Sequence, residues 1–268
     1  MNIYMSIMSQ EFLISTVDEQ IISYIQETYS RYICDKMSAS KVLKKIDADY
    51  LLKCNSGAEK ETIVDNAIVN LVNSNEQYYL LHAGVLLLDD EAFLICGKTK
   101  SGKSTACFLL QAKYDYICIS DDLAFINKKN LCVTSIYRPV KLRKPVVKKY
   151  DLLQEVEFCE YDSEGTERYK LVTKSNDVGR NKKETLVKAI IEIEYVQDEN
   201  IQSIEEISGC SAIQTLLLNS YSQDRLKDSY GVITELTKNV SILRVKYNNP
   251  MYLNDIIIAL AKKGVFYE

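Results

Sequence analysis

The chain has 268 residues, enough for one or two domains and for a core that needs no disulfide or metal staple. Apolar residues make up 47% and charged residues 26%, which excludes a disordered or fibrous chain. With 33 basic and 37 acidic side chains the formal net charge is −4, so the basic footprint of a general nucleic-acid binder is missing. The first residues, Met1 to Gln10, carry neither a basic segment nor a long apolar run. No window reaches the ~18 apolar residues that span a bilayer. The expectation is a soluble cytoplasmic protein without a membrane partner. Eight cysteines are dispersed without a CxxC spacing, and Cys96, Cys107 and Cys118 sit inside apolar runs. They read as reduced core residues, with a scattered four-cysteine zinc site as the alternative.

In chain order, Thr16-Val17-Asp18-Glu19 reads as a capping box opening a helix. Ile21, Ile22, Ile25, Tyr29 and Ile33 follow at helical spacing. Ile63, Val64, Ala67, Ile68, Leu71 and Val72 form a second helical stripe, which Asn73-Ser74-Asn75 ends. An N-terminal α+β module is placed at 1–75, and the remainder, 76–268, is taken as one core. Short apolar strands are predicted at Tyr78–Leu81, Val85–Leu88 and Ala92–Cys96, with Asp89-Asp90 as the turn between the last two. A helix from Lys103 to Ala112 and a strand from Tyr116 to Ser120 follow. Further strands are predicted at Leu131–Ile136, Val187–Tyr195 and Val240–Tyr247. Helices are predicted at Ala212–Ser220 and after Asn249-Pro250, where Asn caps and Pro takes the first position. The fold class is α/β.

The strongest motif is Gly97-Lys98-Thr99-Lys100-Ser101-Gly102-Lys103-Ser104, which fits G-x-x-x-x-G-K-[ST] at every fixed position. A β-type run precedes it and an apolar helix follows, as a phosphate loop requires. Loop N–H groups and the helix N-terminus favour phosphate oxygens. Lys103 would hold the β- and γ-phosphates of ATP, and the Ser104 hydroxyl would ligate Mg²⁺. The loop from Gly97 through Thr105 is the nucleotide-binding candidate. Eighteen residues after Lys103 come Asp121 and Asp122, at the end of an apolar strand. There one carboxylate can hold metal while the other takes a proton. His82, the single histidine, lies fifteen residues before Gly97.

The set His82-Ala83-Gly84, the phosphate loop and Ser120-Asp121-Asp122 resembles the catalytic domain of HPr kinase/phosphorylase. It looks closer still to the shorter HPr-kinase-like proteins, some of which act as kinases in peptide natural-product pathways. The resemblance covers about Tyr78 to Phe125. It implies a P-loop kinase core of the HPr kinase type, a mixed sheet with flanking helices. It implies catalytic roles for His82, Lys103 and Asp121, with Asp121 as general base and Ser104 and Asp122 on the metal. The family loop usually has glycine where Lys100 stands and serine where Thr99 stands.

Beyond the aspartates, Arg138, Lys141, Arg143, Lys144, Lys148 and Lys149 form a run of six positives with no acid between them. Asp151, Glu155, Glu157, Glu160, Asp162, Glu164 and Glu167 follow. The basic run reads as a solvated face or as an electropositive rim for ATP or an acidic peptide, and Arg180, Lys182 and Lys183 could join it. The function implied is an ATP- and Mg²⁺-dependent serine/threonine kinase acting on a peptide or small protein, monomeric or as a homo-oligomer. The alternatives are a small-molecule kinase on the same core and a non-catalytic nucleotide-binding regulator. The 1–75 module is the candidate for substrate recognition.

Overall fold

The computed structural model describes residues 1–8, 10–34, 44–55, 60–74, 76–114, 116–137, 140–161, 165–171, 184–198, 201–221 and 226–262. Asn75, Arg138, Asp162, Glu164, Arg180, Lys182 and Lys183 lie outside them. The chain divides into two compact units, Met1–Glu76 and Gln77–Glu268. No helix among the described residues is long and apolar enough to cross a membrane. All eight cysteines are free thiols, and Cys96, Cys107 and Cys118 are buried.

The first unit opens with the antiparallel hairpin β1 (Asn2–Ile7) and β2 (Gln10–Ser15). Helix α1 (Glu19–Thr28) leads to β3 (Lys44–Asp47), which pairs in parallel with β2. Helices α2 (Ala48–Cys54) and α3 (Lys60–Asn73) complete the unit. The capping residue of α1 is Asp18 and not Thr16: the Asp18 carboxylate accepts the Ile21 N–H at 3.2 Å. Thr16 is otherwise engaged, since its hydroxyl donates to Asp49 at 2.6 Å and accepts the Asp18 N–H at 3.1 Å. A long-range carboxylate has taken the hydroxyl that local spacing assigned to the cap. Ile21 and Ile25 on α1, and Val64, Ile68, Val69 and Val72 on α3, are buried on helical spacing.

The second unit begins with β4 (Tyr78–Leu81), β5 (Ala83–Leu88) and β6 (Glu91–Cys96), then α4 (Lys103–Lys113). Strands β7 (Ile117–Ser120), β8 (Ala124–Asn127), β9 (Cys132–Thr134) and β10 (Lys141–Arg143) follow. After the short helix α5 (Lys144–Lys149) come β11 (Val156–Tyr161), β12 (Glu167–Leu171), the long β13 (Thr185–Tyr195) and β14 (Ser203–Glu206). Helices α6 (Gly209–Leu218) and α7 (Leu226–Asn239), β15 (Ser241–Tyr247) and α8 (Pro250–Lys262) end the chain's described part. At the last helix Pro250 is the first residue, and the side-chain oxygen of Asn249 caps it by accepting the Met251 N–H at 2.9 Å, as the Asn-Pro pair predicts.

The main sheet runs β4-β8-β9-β13-β6-β5-β7, and β15 with β14 adds to β13. Strands β6, β13 and β15 are mutually parallel, whereas β5 is antiparallel to both β6 and β7. The tight turn between β5 and β6 uses Asp89 and Asp90 at φ of 49° and 64°, both left-handed, the signature of a twist-matched hairpin turn. Alternation along the strands feeds two cores. Phe93, Ile95, Ile191 and Ile193 pack with α4 and α8 on one face. Leu94, Cys96 and Ile190 pack with Ala212, Leu216, Val232 and Leu236 of α6 and α7 on the other. The second unit is therefore a mixed sheet between helical layers. A small separate sheet, β10-β12-β11, adjoins α5 in sequence.

Candidate functional site

Three strand ends meet because of the direction of β5. Its first residues lie beside the last residues of β6, with Ala83 opposite Cys96, and its Val85 lies opposite Ser120 at the end of β7. The start of β5 therefore carries His82, the end of β6 carries the Gly97–Ser104 loop, and the end of β7 carries Asp121 and Asp122. Contact is close enough to demand glycine at Gly84. A Cβ there would fall 2.4 Å from Cys107 Sγ on α4 and 3.4 Å from the Asp121 Cα.

The loop has the expected strand–turn–helix path. Its N-terminal end is tied by the Gly97 N–H, which donates to the side-chain oxygen of Asn219 at 3.1 Å. Ser101 N–H closes the turn on the Lys98 carbonyl at 3.0 Å. Gly102 takes a left-handed φ of 91° as the cap of α4. Lys100 takes φ of 68°, the backbone region that glycine favours. For an L-residue that conformation costs about 1–2 kcal/mol. Lys98, Thr99 and Lys100 are exposed, and Ser104 and Thr105 are half-buried on the first turn of α4.

Ser101 is only 8% exposed, and its hydroxyl has no hydrogen-bond partner. It lies within the loop, where a Cβ on Gly97 would stand 2.7 Å away. A buried hydroxyl left in this state costs about 1–3 kcal/mol until an acceptor reaches it. Phosphate oxygens would be such acceptors.

Lys103 is also 8% exposed. Burial pushes its ammonium below the ordinary lysine range, and the carboxylates of Asp122 and Asp121 oppose that push. His82 is half-buried in the single-residue break between β4 and β5, with its N–H on the Asn219 carbonyl at 2.7 Å. Burial first, and Lys103 second, lower its pKa, while Asp122 raises it. Lys103 and Asp122 thus both bear on the charge of His82, in opposite directions. Asp122 is further held by Ser120, whose hydroxyl donates to Asp122 Oδ1 at 3.2 Å and accepts the N–H groups of Asp122 and Leu123. Asp121 is half-buried beside it. Among the described residues no three or more His, Cys, Asp or Glu side chains gather as metal ligands. The hydroxyl and carboxylate oxygens of Ser104 and Asp122 are the hard donors that suit Mg²⁺.

Asn219 carries no sequence signal, yet it joins two parts of the site. Its side-chain oxygen holds Gly97, its backbone oxygen holds His82, and its amide nitrogen donates to the Thr215 carbonyl at 2.9 Å. The charge runs also behave differently in space. Lys144 pairs with Glu167 at 2.8 Å, and Glu157 on β11 pairs with Lys170 on β12 at 3.3 Å. The first of these pairs joins the basic run to the acidic run, and the second joins the acidic run to Lys170, which lies outside the basic run.

No family model and no curated protein matches the chain. Among solved structures, the HPr(Ser) kinase/phosphatase from Coxiella burnetii aligns with 68% of this chain and 93% of its own, at 13% identity and a TM-score of 0.29.

Asn219→Ala is expected to lower stability by about 1–3 kcal/mol, because the buried Gly97 N–H loses its acceptor. A urea midpoint that stays at the wild-type value would remove Asn219 as the anchor. A second expectation concerns pH. A histidine whose folded pKa lies below its ordinary value of 6.5 gives its full stability above that value. The stability is lost as pH falls from there through the folded pKa. The wild-type melting temperature should therefore drop between about pH 7.5 and about pH 5.5 by more than that of His82→Gln. Parallel profiles for the two proteins would mean that His82 titrates normally.

Proposed function

We propose that this chain is an ATP- and Mg²⁺-dependent kinase with an HPr-kinase-like core, transferring the γ-phosphoryl to a serine or threonine hydroxyl of a peptide or small protein. The observation that carries the reading is the meeting of a phosphate loop, its buried Lys103 and the Asp121-Asp122 pair at one sheet edge. Phosphoryl transfer asks the protein mainly for positioning and charge neutralisation.

In this reading the loop N–H groups and the Ser101 hydroxyl hold the triphosphate, and Lys103 bears on the β- and γ-phosphates. Ser104 and Asp122 would hold Mg²⁺, which when bound neutralises charge between the phosphates. Asp121 takes the proton from the acceptor hydroxyl as its oxygen bonds to the γ-phosphorus, and the bond to the bridging oxygen of ADP breaks. His82, kept towards its neutral form, serves as a hydrogen-bonding group at the same edge. Lys141 and Arg143 on β10 are proposed to meet acidic residues of the peptide, and the 1–75 module to add to its recognition.

Calorimetry should show Mg²⁺-dependent ATP binding that Lys103→Ala removes. Asp121→Asn should slow transfer of labelled γ-phosphate to peptide by about 10²–10⁴-fold with nucleotide affinity near wild type. Unchanged turnover in that variant would take Asp121 out of the mechanism. A nucleotide bound normally but never turned over by the wild-type protein would favour a regulatory binder. For the basic strand, Lys141→Glu with Arg143→Glu should raise the KM for an acidic peptide and leave that for ATP almost unchanged. The effect should shrink with added salt, since screening acts over ~8 Å at physiological ionic strength. A shift in the ATP constant alone would assign the strand to the nucleotide.

A further inference from the structure

Strands β6, β13 and β15 are parallel and end at the same sheet edge. Ligands of α/β sheets lie outside the carboxyl ends of such strands. Strand β6 ends in the phosphate loop, and the other two end in tyrosines, Tyr195 and Tyr247. Their rings meet edge to face, with centroids 5.7 Å apart and planes at 80°.

Both tyrosines are fastened to the loop. The Tyr195 N–H donates to the Ser101 carbonyl at 3.0 Å, and the Tyr247 hydroxyl donates to the Gly102 carbonyl at 3.2 Å. A Cβ on Gly102 would stand 2.4 Å from Tyr247 Oη and 3.3 Å from Tyr195 Cβ, so the rings flank the loop at the cap of α4. Tyr247 is buried, whereas Tyr195 is half-buried and reaches solvent. From α5, the exposed Lys149 donates to the Tyr195 hydroxyl at 2.6 Å. Its ammonium lies 4.6 Å from the Tyr195 ring centroid and 5.3 Å from that of Tyr150, which is also half-buried.

We propose that Tyr195, with Tyr150 and Lys149 beside it, forms the subsite for the nucleobase of the triphosphate held in the loop. The proposal rests on the reading of Gly97–Thr105 as a nucleoside triphosphate site. Tyr195 offers a π-surface anchored directly to the phosphate cradle. Lys149 sits at the hydroxyl end of the ring, within cation–π distance of its centroid, and its long exposed stem can swing aside or lie over an incoming base. These groups stack on a base and do not read its edge, so the subsite takes purines by ring area and discriminates weakly between adenine and guanine.

The test compares Mg·ATP with Mg·tripolyphosphate by calorimetry on the full chain. Base stacking contributes roughly 5- to 150-fold in affinity. Tyr195→Ala should weaken ATP binding within that range and leave tripolyphosphate within about twofold of wild type. Tyr195→Phe, which keeps the ring, should restore ATP binding. Equal loss of both ligands, or loss of neither, overturns the subsite and leaves the phosphate loop standing. A wild-type protein that binds neither ligand defeats the loop reading itself. As a readout without substitution, 2-aminopurine riboside triphosphate should lose fluorescence on binding to the wild-type protein through stacking. A bound but unquenched probe overturns the proposal.

Discussion

The direction of β5 is the constraint on which the site depends. A strand antiparallel to both neighbours presents its first residues where theirs end, so the start of β5 sets Ala83 opposite Cys96 and Val85 opposite Ser120, with His82 just before them. Hydrogen-bonded strands lie about 4.8 Å apart, which leaves little tolerance for a residue between the loop and the aspartates. Gly84 takes up that tolerance, because α4 presses Cys107 onto the space where its side chain would stand. A larger residue at Gly84 would push α4 away from β5, and Lys103 and Ser104 move with α4. Loop position and carboxylate placement are therefore coupled through one packed glycine.

Electrostatics at this edge follow from the same closeness. Lys103 loses hydration on burial, and the two carboxylates return part of that loss. His82 feels burial and Lys103 in one direction and Asp122 in the other. Two of its three influences, including the largest, disfavour the imidazolium, so a second cation does not build up beside the lysine. The Ser101 hydroxyl adds an unspent donor within the loop. An anionic ligand would satisfy that donor and supply the counter-charge that Lys103 only partly finds in the protein.

Much of this edge is legible in the sequence because its devices are local. The phosphate loop is contiguous, its flanking strand and helix show apolar patterning, and Asp121-Asp122 ends an apolar run. The helix start at Pro250 and the turn at Asp89-Asp90 are likewise settled by a few adjacent residues. What local pattern misses is set by partners distant in the chain. Thr16 looks like a cap until Asp49, 33 residues away, takes its hydroxyl. Asn219 looks like any residue at a helix end, yet it reaches 122 residues back to Gly97. Strands β10, β11 and β12 are rich in charge and have no clean alternation, so their sheet becomes visible only when they pair with one another. Lys100 is a third kind of case: its left-handed backbone is the loop's requirement imposed on a residue with no preference for it.

The charge runs show why sequence adjacency misleads about electrostatics. Six positives and seven negatives are separate in sequence, but β12 turns Glu167 of the acidic run back onto Lys144 of the basic run. Glu167 on β12 meets Lys144 at the start of α5, and Glu157 meets Lys170 across β11 and β12. Surface pairs of this kind contribute ~0–1 kcal/mol each, so their main consequence is the removal of excess charge and not stability. The field left at the site therefore depends on which basic groups remain outside such pairs with acids. On α5 the division falls within a single short helix. Lys144 is turned to a carboxylate, while Lys149 is turned to Tyr150 and Tyr195, and the backbone N–H of Tyr195 is bonded to the Ser101 carbonyl. The hydrogen bond to the Tyr195 hydroxyl raises the pKa of Lys149, so it stays a cation beside a residue whose backbone is tied to the loop.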